Sequence, residues 1–306
     1  MGHGHFGVTM REGFLKKVRL TLEMIKFEHS VFALPFALTG GLLAVRESGF
    51  RTEGLAWKFG WILVAMVGAR SAAMAFNRLL DADLDARNPR TRTRHLPAGL
   101  LSRGFAWGFT AVSSLVFLLA ARALNDLCFR LAPVALGLVF FYSFTKRFTT
   151  MSHLVLGLSL GVAPAAAWIA IQGSLDPRVL WLTLAVTLWT AGFDVIYSCP
   201  DRDFDAQEGL FSLPRRFGIA GALWISRLFH AGMVVALAML VRSFGLGALS
   251  IVGVSLVALL LIWEQSLVKP HDLSRVNAAF FTMNGYVSVL FFLFWAADIL
   301  ILRSGA

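Results

Sequence analysis

Long apolar runs separated by short polar segments dominate the chain. Nine runs approach the length of a membrane helix, which needs about 20 apolar residues to cross a bilayer core of about 30 Å. The predicted spans are Ser30–Val45, Leu55–Leu80, Gly104–Leu124, Leu127–Phe144, Leu154–Ile171, Val179–Ser198, Ile219–Val241, Gly245–Ser266 and Ala278–Leu302. The pattern predicts an all-α integral membrane protein with nine transmembrane helices, which form a single domain over residues 1–306.

The composition supports the same class. Hydrophobic residues make up 57% of the 306 residues and charged residues 15%, with a mean hydropathy of +0.70. A soluble domain usually has about 45–50% apolar and about 25% charged residues. The two cysteines cannot form a disulfide framework. In so apolar a chain, the net charge of +10 indicates contact with anionic lipid rather than with nucleic acid.

Lys and Arg residues are distributed unevenly between the two sides of the predicted bundle. Residues 1–26 and the loops after the second, fourth, sixth and eighth spans share one side, which carries 17 Lys and Arg, against eight on the other. Positive charge collects on the cytoplasmic side of membrane proteins. We therefore expect a plasma (cell inner) membrane protein whose N-terminus and two long polar segments, Asp81–Arg103 and Cys199–Gly218, face the cytoplasm.

Polar side chains recur at helical spacing in two clusters, at the start of each long polar segment. The first cluster is Asn77, Asp81 and Asp85, and the second is Asp194, Tyr197, Asp201 and Asp205. Steps of three or four residues keep the members of each cluster on one helix face, from which Asp83 and Asp203 point away. Pro200 predicts a kink within the second cluster because it has no backbone N–H.

Carboxylate and amide oxygens are hard ligands that suit Mg²⁺, which often bridges to substrate phosphates. Two acidic clusters on one side of the membrane predict two Mg²⁺ ions that together hold a polyanion such as a diphosphate. Solvated loop residues and partners for arginines remain the ordinary explanation of acids at helix ends. A cation or proton-coupled transporter is an alternative, although its acids are expected nearer to the helix midpoints.

Basic side chains accompany both clusters. Lys146 and Arg147 follow Tyr142 at the end of the fourth span, and Arg92 and Arg94 lie in the first polar segment. Lys and Arg at a cytoplasmic helix end are also the topology signal itself. Arg70 lies deeper, seven residues before the first cluster begins, so it is expected to pair with a carboxylate or a phosphate.

Together, Asn77-x3-Asp81-x3-Asp85 and Asp194-x2-Tyr197-x3-Asp201-x3-Asp205 resemble the paired signatures of the UbiA superfamily of intramembrane prenyltransferases. The resemblance covers nearly the whole chain. Its opening segment, Ile25–Pro35, is similar to the 4-hydroxybenzoate polyprenyltransferase-like branch. The resemblance implies a helical bundle with a central cavity open to lipid.

The resemblance also implies a reaction, the transfer of a polyprenyl group from a polyprenyl diphosphate to an aromatic acid in respiratory quinone biosynthesis. The implied ligands of two Mg²⁺ ions are Asn77, Asp81, Asp85, Asp201 and Asp205. The implied diphosphate contacts are Lys146, Arg147, Arg70, Tyr142, Arg92 and Arg94. Asp194 and Tyr197 are the candidates for orienting the acceptor or stabilising the allylic cation.

The acceptor implied first is 4-hydroxybenzoate. The segment Lys26-Phe-Glu28-His29 departs from the Arg/Asp-Lys-Pro type of opening and is similar to sequences assigned to menaquinone synthesis. A dihydroxynaphthoate (1,4-dihydroxy-6-naphthoate or the 2-naphthoate) is therefore the alternative acceptor. Lys26, Arg70 or Arg78 is expected to pair with the acceptor carboxylate.

Overall fold

The computed structural model describes residues 17–25 and 30–304. The secondary-structure elements of more than one residue in those ranges are all helices. The long helices of the described part are α1 (Ser30–Glu47), α2 (Leu55–Arg87), α3 (Arg103–Leu124), α4 (Asp126–Thr145), α5 (Ser152–Gln172), α6 (Leu180–Ser198), α7 (Leu213–Phe244), α8 (Ala248–Leu267) and α9 (Asn284–Ser304). Shorter helical elements are residues 17–24, Pro177–Val179, Cys199–Asp201, Arg202–Gln207 and the π-helical turn Ala278–Met283.

Eight helical stretches in the described ranges are long and apolar enough to cross a membrane, and they contain α2 to α9. The all-α membrane class is therefore confirmed. Helix α1 has 18 residues with Pro35 inside and is not among the eight. The count of nine transmembrane helices accordingly stays a prediction.

Helix α2 is longer than the apolar pattern predicts. It continues from the predicted end at Leu80 to Arg87, so the whole first cluster lies on the helix and the polar connection is shortened to residues 88–102. The helix therefore includes Asp81 and Asp85, as the four-residue spacing of the cluster predicted. The helix ends where Pro89 follows, because the residue before a proline is driven out of the helical region, and Asn88 is accordingly extended (φ −83°, ψ 119°).

The kink predicted at Pro200 is confirmed. Helix α6 ends at Ser198, and a 3₁₀ turn, Cys199–Asp201, leads into the short helix Arg202–Gln207. A second break, in α7, occurs at Gly218 (φ 69°, ψ 170°), a conformation that glycine adopts without a steric penalty. The predicted span begins at Ile219, directly after this break, whereas helical structure already begins at Leu213.

Each long helix contacts the next one along the chain, and α1 also packs against α5 and α9. The core at this junction is aromatic. The Phe36 ring lies 4.9 Å from Trp189 and 4.4 Å from Phe291, and all three side chains are fully buried. This core ties α1, α6 and α9 together.

Helices α5 and α6 approach each other through glycine. A Cβ atom at Gly157 would lie 2.1 Å from the Thr187 carbonyl oxygen, and one at Gly161 would lie 2.2 Å from Thr187 Oγ1. Small residues four apart let membrane helices pack at backbone distance. The contact joins the second and third turns of α5 to the middle of α6.

Candidate active site

A cavity of about 590 Å³ lies at the end of the bundle where α2, α4 and α6 terminate. Both polar clusters contribute to its wall, together with the polar connection after α2 and residues Glu23 and Met24. The wall therefore combines parts of the chain that are far apart in sequence. Asp81 and Asp201, for example, are separated by 120 residues.

In the first cluster, each carboxylate accepts a hydrogen bond from an arginine. Asn77 Nδ2 donates to Asp81 Oδ2 at 3.1 Å, and Arg147 Nη2 donates to Asp81 Oδ1 at 3.0 Å. Arg94 Nη1 donates to Asp85 Oδ1 at 2.6 Å. Two arginines thus offset the repulsion between the carboxylates of this helix face.

In the second cluster, Asp201 is the centre of the contacts. It accepts from Arg90 Nε at 2.9 Å, from Arg90 Nη2 and from Asn88 Nδ2 at 3.2 Å. Burial lowers the pKa of Arg90, but its hydrogen bonds and charge pairing with Asp201 outweigh burial, so the pKa is raised. The guanidinium also lies 4.9 Å from the centre of the Tyr197 ring. The connection after α2 therefore covers the second cluster, and its Arg90 side chain stays positively charged there.

Lys146 lies directly after α4, between the two clusters. Burial lowers its pKa, but the carboxylates around it outweigh burial and the net shift is upward. Those carboxylates belong to Asp205, Asp194, Asp201 and Asp81. Within residues 17–25 and 30–304, no carboxylate comes within 4 Å of the ammonium group. Lys146 is therefore a charged donor that an anionic ligand in the cavity can engage.

Asp194 is held by a histidine from the neighbouring helix. His153 Nδ1 and Asp194 Oδ2 are 2.7 Å apart, and His153 is fully buried. Asp194 lines the cavity, whereas His153 lies behind it. His153 was not among the residues predicted from the sequence.

An aromatic wall stands beside the second cluster. The ring of Phe280 lies 4.2 Å from Tyr197 and 5.2 Å from Phe193. Phe280 belongs to the π-helical turn, where Asn284 Nδ2 donates to its carbonyl oxygen at 2.9 Å. π-helical turns inside α-helices occur frequently at functional sites. The wall is suited to contact a flat ring or a cation.

A family model described as the UbiA prenyltransferase family matches residues 33–297. The chain belongs to the UbiA prenyltransferase family. Among curated relatives, the 4-hydroxybenzoate octaprenyltransferase of Vibrio atlanticus is 32% identical over 241 residues, which are 76% of this chain and 83% of the relative. The enzyme of that name from Vibrio cholerae serotype O1 is 33% identical over 226 residues, 72% and 77% of the two chains. The chain is thus a polyprenyltransferase.

Solved structures agree with the prenyltransferase assignment. The apo structure of a UbiA homolog from Aeropyrum pernix K1 has a TM-score of 0.79 and 35% identity, and the match covers 90% of this chain and 98% of that chain. A UbiA homolog from Archaeoglobus fulgidus bound to DMAPP and Mg²⁺ has a TM-score of 0.70 and 20% identity, with 92% and 99% covered. At 20% identity, the similarity to the Archaeoglobus fulgidus structure shows a shared fold.

The cavity of the prenyltransferase brings together all but one of the residues that the sequence predicted as metal ligands, diphosphate contacts or acceptor-orienting groups. Its wall includes Asn77, Asp81, Asp85, Asp194, Tyr197, Asp201, Asp205, Arg70, Tyr142, Lys146, Arg147 and Arg94. Arg92 is the exception, since it is exposed and does not line the cavity. Arg90 and Arg78 line it as well, and the sequence analysis named Arg78 only as a partner for the acceptor. Lys26, Glu28 and His29 lie outside the described residues.

The turn after α2 explains why Arg90 and Arg94 face inward. Arg90 N–H donates to Asn88 Oδ1 and Arg92 N–H donates to the Asn88 carbonyl, so the segment coils tightly around Asn88. Residues 89–99 form turns and bends rather than a helix, so no regular spacing in the sequence distinguishes Arg90 from Arg92.

Arg147 uses its guanidinium to link α2 and α4. Its Nη1 donates to the Ser143 carbonyl at 2.8 Å, and its Nη2 donates to the Leu80 carbonyl at 3.1 Å as well as to Asp81. The guanidinium therefore joins the C-terminal half of α2 to the end of α4. Arg147 was predicted as a diphosphate contact, but these bonds leave few of its N–H groups for a diphosphate.

The acids of the prenyltransferase suit a hard metal ion. Asp85 Oδ2 and Asp205 Oδ2 are buried acceptors, one from each cluster, without a hydrogen-bond partner. In the described part of the chain, no three His, Cys, Asp or Glu side chains converge closely enough to hold a metal by themselves. Mg²⁺ is commonly bound by one or two carboxylates and completed by water and substrate phosphates. The donor set fits an ion of that kind.

Proposed function

We propose that this enzyme transfers a polyprenyl group from a polyprenyl diphosphate to an aromatic acid, with 4-hydroxybenzoate as the acceptor, in respiratory quinone biosynthesis. The observation that carries the proposal is the convergence of both acidic clusters on one cavity with Lys146 between them. The names of the Vibrio relatives support the acceptor.

Charge in the cavity wall supports a requirement for added cations. The described residues that line it include six carboxylates (Glu23, Asp81, Asp85, Asp194, Asp201 and Asp205) and six cationic side chains (Arg70, Arg78, Arg90, Arg94, Lys146 and Arg147). A wall that is balanced in this way cannot neutralise a diphosphate by itself. We propose two Mg²⁺ ions, one held by Asn77, Asp81 and Asp85 and one by Asp201 and Asp205. When bound, Mg²⁺ stabilises the negative charge that develops on the leaving diphosphate.

Cationic side chains of the wall would bind the diphosphate alongside the metal. Lys146 is the central donor because no described carboxylate forms an ion pair with it. Arg90 and Arg94 reach the same region from the connection after α2, and Arg70 and Tyr142 lie on the inner wall. Fixed positive groups aimed at developing negative charge are the largest kind of catalytic contribution for such chemistry.

The transfer requires one bond to break and one to form at the same prenyl carbon. The C–O bond to the diphosphate breaks, and its electron pair leaves with the diphosphate. The acceptor ring carbon ortho to the hydroxyl group forms the new C–C bond and then releases a proton. The faces of Tyr197 and Phe280 would stabilise the allylic cation, and Asp194 would face the acceptor. The apolar side chains Leu156 and Leu160 would accommodate the prenyl chain.

We also propose that the cavity opens toward the cytoplasm and that the enzyme resides in the plasma (cell inner) membrane. The cavity lies at the bundle end that carries residues 17–25 and the connections after α2, α4, α6 and α8. Seventeen Lys and Arg belong to that side by the sequence count, against eight on the other. Basic residues favour the cytoplasmic side.

A competition assay tests the proposal. Purified enzyme in proteoliposomes receives labelled polyprenyl diphosphate together with 4-hydroxybenzoate and both dihydroxynaphthoates, with and without EDTA. We expect EDTA-sensitive prenylation of 4-hydroxybenzoate. Product from a naphthoate alone would contradict the acceptor and assign the enzyme to menaquinone synthesis. Ion flux without any product would contradict the transfer reaction and favour the transporter alternative.

A further inference from the structure

We propose that His153 is a positioning residue that holds the Asp194 carboxylate so that its other oxygen receives the proton released by the acceptor ring. The inference rests on the proposed function, because it names the group that completes the same transfer reaction. Asp194 touches the acceptor in this scheme, and His153 acts only through Asp194.

The proposed role fixes the direction of this contact. Asp194 Oδ2 is 2.7 Å from His153 Nδ1. A carboxylate that is to receive the ring proton only accepts hydrogen bonds, so the proposal requires the proton of His153 to be on Nδ1. Among the described residues, Asp194 Oδ1 has no hydrogen-bond partner, and Asp194 lines the cavity. One carboxylate oxygen is therefore anchored from behind, and the other is available to a ligand.

The burial of His153 is hard to explain as ordinary packing. The side chain is fully buried, and its Nε2 atom has no hydrogen-bond partner. A buried nitrogen without a partner costs free energy that an apolar side chain of similar size would not. An apolar side chain at position 153 could not form the hydrogen bond to Asp194, and this bond accounts for a histidine at that position.

The backbone around the pair leaves little room for movement. Gly157, one turn after His153, packs against the Thr187 carbonyl of α6, and Gly161 packs against the Thr187 side chain. The helix that carries His153 is thereby seated directly on the helix that carries Asp194. Catalytic groups require this kind of support, since small misplacements cost rate.

The proton balance of the step is complete. After the C–C bond forms, the prenylated ring carbon still carries its hydrogen. The C–H bond breaks, its electron pair restores the aromatic ring, and the proton passes to Asp194 Oδ1 and then to water. The net products are the prenylated acid, diphosphate and one proton.

Two isosteric variants separate positioning from packing. Asparagine places an amide N–H near the position of His153 Nδ1. Leucine has nearly the same shape as asparagine but has no hydrogen-bond donor. We expect His153→Asn to keep kcat within about threefold of wild type and His153→Leu to lower it by about tenfold to a hundredfold. KM for the polyprenyl diphosphate should stay unchanged in both variants.

An isotope effect provides a readout that a structural role would not change. With an acceptor deuterated at both ring positions ortho to the hydroxyl, His153→Leu should show a primary isotope effect on kcat, because proton removal becomes the slow step. Wild type and His153→Asn should show a smaller effect. Equal losses in the two variants without a larger isotope effect in His153→Leu would overturn the positioning role. Absence of product from wild type with every acceptor would instead overturn the proposed function, and the inference with it.

Nitrogen-15 NMR of histidine-labelled protein tests the contact without turnover and without the leucine variant. His153 should be the Nδ1-protonated tautomer in wild type. Asp194→Asn should shift it to the Nε2-protonated tautomer, because the asparagine amide donates to Nδ1. An Nε2-protonated tautomer in wild type would overturn the proposal.

Discussion

Arg90 and Asp201 form an ion pair between two motif segments that are 111 residues apart, with Arg90 Nε donating to Asp201 Oδ1 at 2.9 Å. The same guanidinium lies over the Tyr197 ring. One side chain of the connection after α2 therefore neutralises a proposed metal ligand and also faces the aromatic wall. Asn88 Nδ2 donates to the same carboxylate, so both residues hold the connection after α2 against the second cluster.

Replacing Arg90 and Arg92 separately should distinguish an inward from an outward arginine. Arg90→Gln leaves the Asp201 carboxylate without its charged donor, and hydrogen bonds to charged groups contribute about 1.5–3 kcal/mol. We expect kcat/KM for the polyprenyl diphosphate to fall by about tenfold to a hundredfold. Arg92→Gln, at an exposed position, should stay within about twofold. Steady-state kinetics with both variants provide the check, and equal losses would contradict the placement.

Loss of one acidic ligand should abolish turnover without unfolding the protein. Asp81→Asn and Asp201→Asn are each expected to lower kcat by about a hundredfold or more, as removal of a single charge-stabilising group does, and to raise the Mg²⁺ concentration for half-maximal rate. Each variant loses both a charge repulsion and an ion pair with an arginine, which is Arg147 for Asp81 and Arg90 for Asp201, so the thermal midpoint should change by only a few degrees. EDTA should stop wild-type turnover, and added Mg²⁺ should restore it.

Asp83→Asn is the matched control for the first cluster. Its carboxylate side chain is 74% exposed and pairs with Arg103 at the surface. Exposed ion pairs contribute little to stability, so activity and the Mg²⁺ requirement should match wild type. Full activity in both Asp81→Asn and Asp201→Asn would contradict the two-metal proposal.

The π-helical turn should influence the acceptor more than the diphosphate. Asn284→Leu removes the donor to the Phe280 carbonyl, and an unpaired buried carbonyl costs about 1–3 kcal/mol. We expect Phe280 to shift from Tyr197 and KM for the acceptor to rise several-fold, with unchanged affinity for the polyprenyl diphosphate. Tyr286→Leu, at an exposed position of α9, is the control and should leave both unchanged. An effect on diphosphate affinity alone would argue against this role of the turn.

Gly157→Ala should destabilise the bundle. The new methyl group would meet the Thr187 carbonyl oxygen at 2.1 Å, and overpacking of this kind costs about 1–3 kcal/mol. Gly137→Ala is the control, since nothing lies within 4 Å of a Cβ atom there and alanine favours helix by up to about 1 kcal/mol. Thermal unfolding in detergent should show a lower midpoint for the first variant and an equal or higher one for the second.

Local periodicity determined much of this protein. The apolar runs predicted the helices because a membrane helix satisfies its own backbone hydrogen bonds and needs only length and apolarity. The four-residue steps from Asn77 to Asp85 predicted a shared face because rotation along a helix is regular. Pro200 predicted its kink for an equally local reason. These properties depend on neighbours within one or two turns.

Tertiary structure decided which side chains meet. Arg90 meets Asp201, which is 111 residues away, because the connection after α2 folds over the second cluster. The His153 contact with Asp194 required the close approach at Gly157, and the two lie 41 residues apart along the chain. The sequence could place His153 on a helix, but its partner depends on how two helices pack, and no local pattern encodes that distance.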